Sequence, residues 1–255
     1  MSNQQIIDTA RWEWPPEHPV LGSEDVHVWC TRLDRGRSEA LGVSDLWGVL
    51  STDERERAQR FRLDLHRDRF VVGRGILRTI LGGYLRRDPQ HLRFRYGEHG
   101  KPEVAGESGE PAITFNLSHV NDVALFAMAL GRRVGIDVDC VRPGVSMEAI
   151  SQRFFSPGEL NALDALPEAQ REEGYLRCWT RKESYVKALG EGLSIPTDQF
   201  EVSLEQEVQP RLRSVAWDRS EPMRWRIVDL DVGLGAGYEA ALCVEGSDWR
   251  LRLVA

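Results

Sequence analysis

Over Asp25–Leu33 the apolar residues Val26, Val28 and Cys30 fall at every second position and Leu33 closes the segment, the period of a half-buried strand. Ser51 followed by Glu54 has the form of a capping box and opens a helical stretch over 54–63. A second helix follows over 67–85, with apolar Val72, Ile76, Ile80 and Tyr84, until Gly82-Gly83 and Asp88-Pro89 punctuate its end. Strands are expected over 92–96, 112–116 and 122–130, the last an unbroken apolar run. The order then repeats. A strand over 133–141 precedes short helices over 146–154 and 156–163 and a long one over 168–189. Strands over 199–204, 212–217, 223–229, 238–244 and 248–254 complete the second set. Each half reads as a strand, then helices, then several strands, an α+β pattern used twice and joined near residue 131. No residue-level repeat accompanies the repeated order. The first twenty residues, with Pro15, Pro16 and Pro19, read as a loosely packed lead-in.

Composition narrows the class of protein without naming a chemistry. Apolar residues make up 41% and charged residues 29% of the 255, ordinary proportions for a soluble globular protein. The net charge of −7 argues against non-specific binding to nucleic acid or to an anionic membrane. An anionic ligand must therefore meet local clusters of Lys, Arg or His. No stretch approaches the roughly 20 apolar residues of a membrane span, and the N-terminus lacks the pattern of a secretory signal. Cys30, Cys140, Cys178 and Cys243 are far apart in apolar segments, which suits buried free thiols better than zinc or redox pairs. A cytoplasmic location fits these features.

Five short motifs carry candidate chemistry. In Gly135-Ile-Asp137-Val-Asp139 the two acids leave the same face of a strand, roughly 7 Å apart, while Ile136 and Val138 point to the core. Paired carboxylates repel one another and suit a cation, and oxygen-only ligands favour Mg²⁺; a strand end with solvated acids explains them equally well. In Trp179-Thr-Arg-Lys182-Glu183-Ser-Tyr-Val-Lys187 the spacing puts Trp179, Glu183 and Lys187 on one helix face. Read alone, Glu183 and Lys187 are a surface salt bridge, with Gly190 ending the helix. Phe115-Asn-Leu-Ser118-His119 is a strand end followed by a turn, and its Ser and His are suited to phosphate binding or acid/base work. Gly100-Lys101-Pro102 presents a lysine on a turn, and Arg67, Arg69, Arg74 and Arg78 give the first long helix a basic face.

The order GKP, NLSH, GIDVD, RFFSPGEL and WTRKESYVKALGEGL, spread over about residues 45–200, resembles the long, surfactin-synthetase-activating (Sfp-like) 4'-phosphopantetheinyl transferases. The resemblance implies an α+β pseudo-dimer of two similar halves, here 1–130 and 131–255, with the active site in the cleft between them. It implies transfer of the phosphopantetheine group from coenzyme A to a serine of an apo acyl or peptidyl carrier protein by a Mg²⁺-dependent, monomeric enzyme, with release of adenosine 3',5'-bisphosphate. Asp137, Asp139 and Glu183 would be the metal carboxylates. Lys101, Ser118, His119 and Arg69 would meet the coenzyme A phosphates from the first half, and Lys187 from the second. Glu183 would also be the general base, with Asp137 and Lys187 beside it in catalysis. Position 139 is more often Glu in the family, and the shorter Asp implies a reach to the metal through water. The apolar and basic segment Val141–Leu160, with Val145, Met147, Ile150, Phe154 and Phe155, would receive a carrier helix, and core packing accounts for at least one of the two phenylalanines.

Two other classes fit the sequence less well. A metal-dependent nuclease or phosphatase would need further ligands and a basic surface. A non-catalytic coenzyme A or carrier binder would be expected to have lost the acidic set.

Overall fold

The computed structural model describes residues 18–34, 42–105, 112–142, 144–205, 209–231 and 233–254; most of the proline-rich lead-in lies outside them. Four layers stack in the order helix, sheet, sheet, helix. The first sheet has the order β11-β1-β5-β4, formed by β1 (Asp25–Arg32), β4 (Ile113–Val120), β5 (Val123–Leu130) and β11 (Arg250–Val254). The second is antiparallel, β6-β10-β9, formed by β6 (Val134–Cys140), β9 (Trp225–Asp229) and β10 (Tyr238–Glu245).

Strand alternation builds these layers. Val26, Val28 and Cys30 of β1, and Val123, Leu125, Ala127 and Ala129 of β5, meet Val134, Ile136 and Val138 of β6 and Leu242 of β10 in one buried core between the sheets. The opposite faces of β1 and β5 pack Trp29, Phe126 and Met128 against the long helix α3 (Asp64–Leu85), beside the short helices α1 (Val43–Gly48) and α2 (Thr52–Gln59). The unbroken apolar run of β5 is thereby explained: both of its faces are covered. The second sheet turns its outer face to α6 (Glu168–Leu189), with α4 (Met147–Phe154), α5 (Pro157–Asp164) and the hairpin β7 (Phe200–Val202)–β8 (Leu212–Val215) around it. A further hairpin, β2 (Phe94–Tyr96) with β3 (Pro102–Val104), flanks α3, and α7 (Glu221–Arg224) leads into β9.

Strand β11 departs from the sequence expectation. It reads as the end of the second half, yet it pairs in parallel with β1 in the first sheet, Val26 opposite Leu251 and Val28 opposite Leu253. The chain end thus ties the two halves together. The halves also meet along β4 and β6, which lie edge to edge with side chains completing the bonding. Asn116 Oδ1 accepts from the Ile136 N–H at 2.8 Å, Ser118 Oγ accepts from the Val138 N–H at 3.4 Å, and the Thr114 hydroxyl donates to the Arg132 carbonyl. Buried edge strands must satisfy their backbone groups somewhere, and the alternating polar face Thr114-Asn116-Ser118 does so here.

Candidate active site

Because Ile136 and Val138 point into the intersheet core, Gly135, Asp137 and Asp139 face α6. Helix α6 lies directly on the strand: a Cβ built on Gly135 would sit 2.1 Å from Ser184 O and 2.3 Å from Ala188 N. That contact fixes where the next turns of α6 stand, and Glu183 and Lys187 reach over the strand toward Asp137.

Lys187 Nζ donates to Asp137 Oδ1 at 2.6 Å and to Ser118 Oγ at 3.0 Å, and Ser118 Oγ donates to Asp137 Oδ1 at 2.8 Å. The surface salt bridge between Glu183 and Lys187 allowed by their spacing is not what forms; the lysine crosses to the carboxylate of β6. Glu183 stays half-buried at the wall, and its carboxyl is held above its ordinary pKa, first by burial and then by the negative charge of Asp137, with Lys187 opposing. Trp179, one turn earlier, packs edge-on against Phe154 at 5.6 Å between ring centres.

These groups line a cleft of about 1080 Å³ whose walls come from both halves of the chain, with Arg69, Ser118 and His119 on one side and Asp137, Glu183 and Lys187 on the other. His119 presents its ring to the cleft. Its pKa is held below the ordinary imidazole value by partial withdrawal from water and by the charges of Lys187 and Arg69. Arg69 is paired bidentately with Asp34 at 2.7 and 2.9 Å. Its neighbours on α3 divide by role. Arg74 joins Glu54 at 2.7 Å at the cleft margin, whereas buried Arg78 ties Glu54 to the carbonyls of Pro89 and Leu92.

Two family profiles match this chain. The profile described as "4'-phosphopantetheinyl transferase, N-terminal" matches residues 42–130, and the 4'-phosphopantetheinyl transferase superfamily profile matches residues 133–243. The 4'-phosphopantetheinyl transferase HetI of Nostoc sp. is 40% identical over 211 residues, covering 82% of this chain and 87% of that protein. The chain belongs to the 4'-phosphopantetheinyl transferase superfamily. The 4'-phosphopantetheinyl transferase Sfp of Bacillus subtilis is 30% identical over 202 residues, covering 78% of this chain and 84% of that protein. The Thermotoga maritima holo-[acyl-carrier-protein] synthase structure superposes on 45% of this chain and 63% of its own at a TM-score of 0.34 and 21% identity.

For a phosphopantetheinyl transferase, two of the residues expected from the motifs stand elsewhere than at the cleft centre. Lys101 points away from the cleft: Gly100 and Pro102 line it, while the lysine amine bonds backbone carbonyls at the end of α6. Asp139 reaches the cleft wall but is held by Arg142, whose Nη2 lies 2.7 and 2.9 Å from its two oxygens, and by the Cys140 N–H at 2.8 Å. Accordingly, no three Asp, Glu, His or Cys residues among the described residues gather closely enough to cage an ion.

Other residues with work at the site were not singled out from the sequence. Asn116 sits in the NLSH motif, and its signal was its alternation with Ser118 on an edge strand. Lys182 and Glu159 form a buried pair at 2.6 Å under α6, and Glu159 also accepts from Ser156 N and Val202 N. The RFFSPGEL and WTRKE motifs are therefore joined in space, with the residue next to Glu183 anchored to α5. The capping-box spacing of Ser156 and Glu159 was visible in the chain, but the partner of Glu159 was not.

Proposed function

We propose that this enzyme transfers the phosphopantetheine group of coenzyme A to a serine of an apo acyl or peptidyl carrier protein, in a Mg²⁺-dependent reaction that releases adenosine 3',5'-bisphosphate. The observation that carries the reading is the convergence, across the seam of the two halves, of Asp137, Ser118 and Lys187 with Glu183 and His119 around one cleft. The donor set suits the ion. Asp137 and Glu183 bring repelling carboxylates together, and Mg²⁺ commonly takes one or two carboxylates and completes its shell with water and substrate phosphates. Asp137 and Glu183 would hold it, with Asp139 in reach only if Arg142 lets go. When bound, the ion would neutralise charge on the pyrophosphate.

The residues of the chain divide the remaining work. The first half, 1–130, offers Arg69, Ser118 and His119 to the phosphates; the second, 131–255, offers the carboxylates and Lys187. The carrier serine oxygen attacks the β-phosphorus, a new P–O bond forms, and the bond to adenosine 3',5'-bisphosphate breaks. Glu183 accepts the serine proton as the general base of the transfer. Lys187 lies within reach of charge growing on the phosphoryl oxygens, and such preorganised charge supplies much of the catalysis in transfers of this kind. A carrier helix docks along 141–160, where Val145 is exposed and Phe154 reaches the cleft, whereas Phe155 is 2% exposed, stacks on Tyr175 and belongs to the core. The reaction runs in a monomer and in the cytoplasm. In support, all four cysteines are free and buried, as suits a reducing compartment, and no helix among the described residues is long and apolar enough to cross a membrane.

Calorimetry with coenzyme A across pH tests the phosphate assignment. The pKa of His119 lies below the ordinary imidazole value in the free protein, and a neighbouring phosphate favours its charged form. Between the two pKa values binding takes up a proton, so affinity rises as pH falls through that interval, approaching tenfold per unit at most. The coenzyme's own phosphates titrate in both proteins, so the difference from His119→Gln isolates the histidine. Identical pH profiles for the two proteins would remove His119 from the phosphate site.

A further inference from the structure

The lysine of the GKP turn is committed elsewhere. Its hairpin turn is tight: Gly97 N bonds Lys101 O at 3.0 Å, and Gly100 takes φ +80°. From there Lys101 Nζ donates to Val134 O at 3.0 Å, Lys187 O at 2.6 Å and Ala188 O at 3.3 Å. An ammonium has three N–H donors, and the three carbonyls account for all of them. The last four carbonyls of a helix lack partners within it. In α6, Gly190 N takes Val186 O, and Lys101 takes the next two. A cation there also complements the helix dipole.

The fit is close along the whole side chain. Gly190 has φ +81°, and a Cβ on it would lie 3.2 Å from Lys101 Cδ, so the lysine stem passes directly over the helix end. Burial of the amine lowers its pKa to about 8, consistent with a group enclosed by protein. Val134 opens the strand that carries Asp137, and Lys187 and Ala188 close the helix that carries Glu183. One amine from the first half thus binds together the two elements of the second half that bear the carboxylates.

We propose that Lys101 is a positioning residue that clasps the end of α6 to the start of β6, keeping Lys187 and Asp137 in register, and that it binds no phosphate. The kinetic part of this proposal rests on the transfer reaction proposed above; the structural part does not. The test uses the full chain carrying Lys101→Met, with Lys101→Gln, which keeps a neutral donor, as the alternative if the first fails to fold. Hydrogen exchange of the amides of 186–190 accelerates by at least about tenfold as the helix end opens. Affinity for coenzyme A stays within about threefold of wild type, with the same salt dependence, while kcat falls by about tenfold or more, since small misplacements of catalytic groups are costly. Unchanged exchange with unchanged kcat would overturn the clasp. A tenfold or greater loss of coenzyme A affinity with a shallower salt dependence would make Lys101 a phosphate ligand after all. If the wild-type protein transferred nothing, the reaction would be wrong, and the exchange measurement would still decide the clasp.

Discussion

Glu183→Gln lowers phosphopantetheine transfer at least about a hundredfold while leaving the protein as stable as wild type or slightly more so. Gln keeps the shape of the side chain but loses the charge a metal needs and the basicity a proton transfer needs. The stability part follows from linkage. The folded-state pKa of Glu183 is raised by burial and by Asp137, so the native state holds this proton more tightly than the unfolded chain does. Stability then falls as pH rises from the ordinary glutamate value through the raised one. At neutral pH the charged carboxylate is a cost, and the amide relieves it. A helix salt bridge with Lys187 would give the opposite pattern, a loss of about 0.2–0.5 kcal/mol with full activity. Single-turnover transfer rates and thermal unfolding, measured on the same preparations, separate the two.

Gly135→Ala is expected to be the most damaging glycine-to-alanine change among the described residues. The new Cβ would lie 2.1 Å from Ser184 O, 2.3 Å from Ala188 N and 2.9 Å from Ala188 Cα. All three are helix backbone, so no side chain can rotate aside; α6 must lift off β6 or the strand must bend. Overpacking typically costs 1–3 kcal/mol, and rigid neighbours put this site at about 3 kcal/mol or more. A melting temperature lower by roughly 6–12 °C follows for a chain of this size. Because Glu183 and Lys187 ride on the displaced helix, transfer falls with it. Gly48→Ala is the control: nothing lies within 4 Å of its built Cβ, and a compatible Gly-to-Ala change is neutral or gains about 0.4–1 kcal/mol. Equal melting temperatures for wild type and Gly135→Ala would mean that α6 and β6 are not in contact as described.

Local periodicity carried much of this fold, and long-range pairing set its limits. The 168–189 helix is read with the bounds that form, because twenty-two residues offer enough periods to define it. The face shared by Trp179, Glu183 and Lys187 and the division of β6 into a core side and an acid side also follow from chain geometry alone. Three-residue β3 and four-residue α7 are too short to show a period. The sheet that receives β11 could not be read, because alternation marks a strand without naming its partner more than two hundred residues away. The same limit applies at the site. The residue types in the motifs point to the transferase family, but Lys187 turns to Asp137, Asp139 turns to Arg142, and Lys101 turns to the end of α6. Each of those directions is decided by a neighbour that only the folded chain brings near.

The central claim, that this cleft moves phosphopantetheine to a protein serine, is tested most directly by weighing the acceptor. Purified enzyme is incubated with coenzyme A, Mg²⁺ and several apo carrier proteins, and each carrier is measured as an intact protein by mass spectrometry. The account predicts that at least one carrier gains the mass of a single phosphopantetheine on its acceptor serine, with one equivalent of adenosine 3',5'-bisphosphate released. Carriers that all remain at their apo mass, while the enzyme is folded and binds coenzyme A, would contradict it.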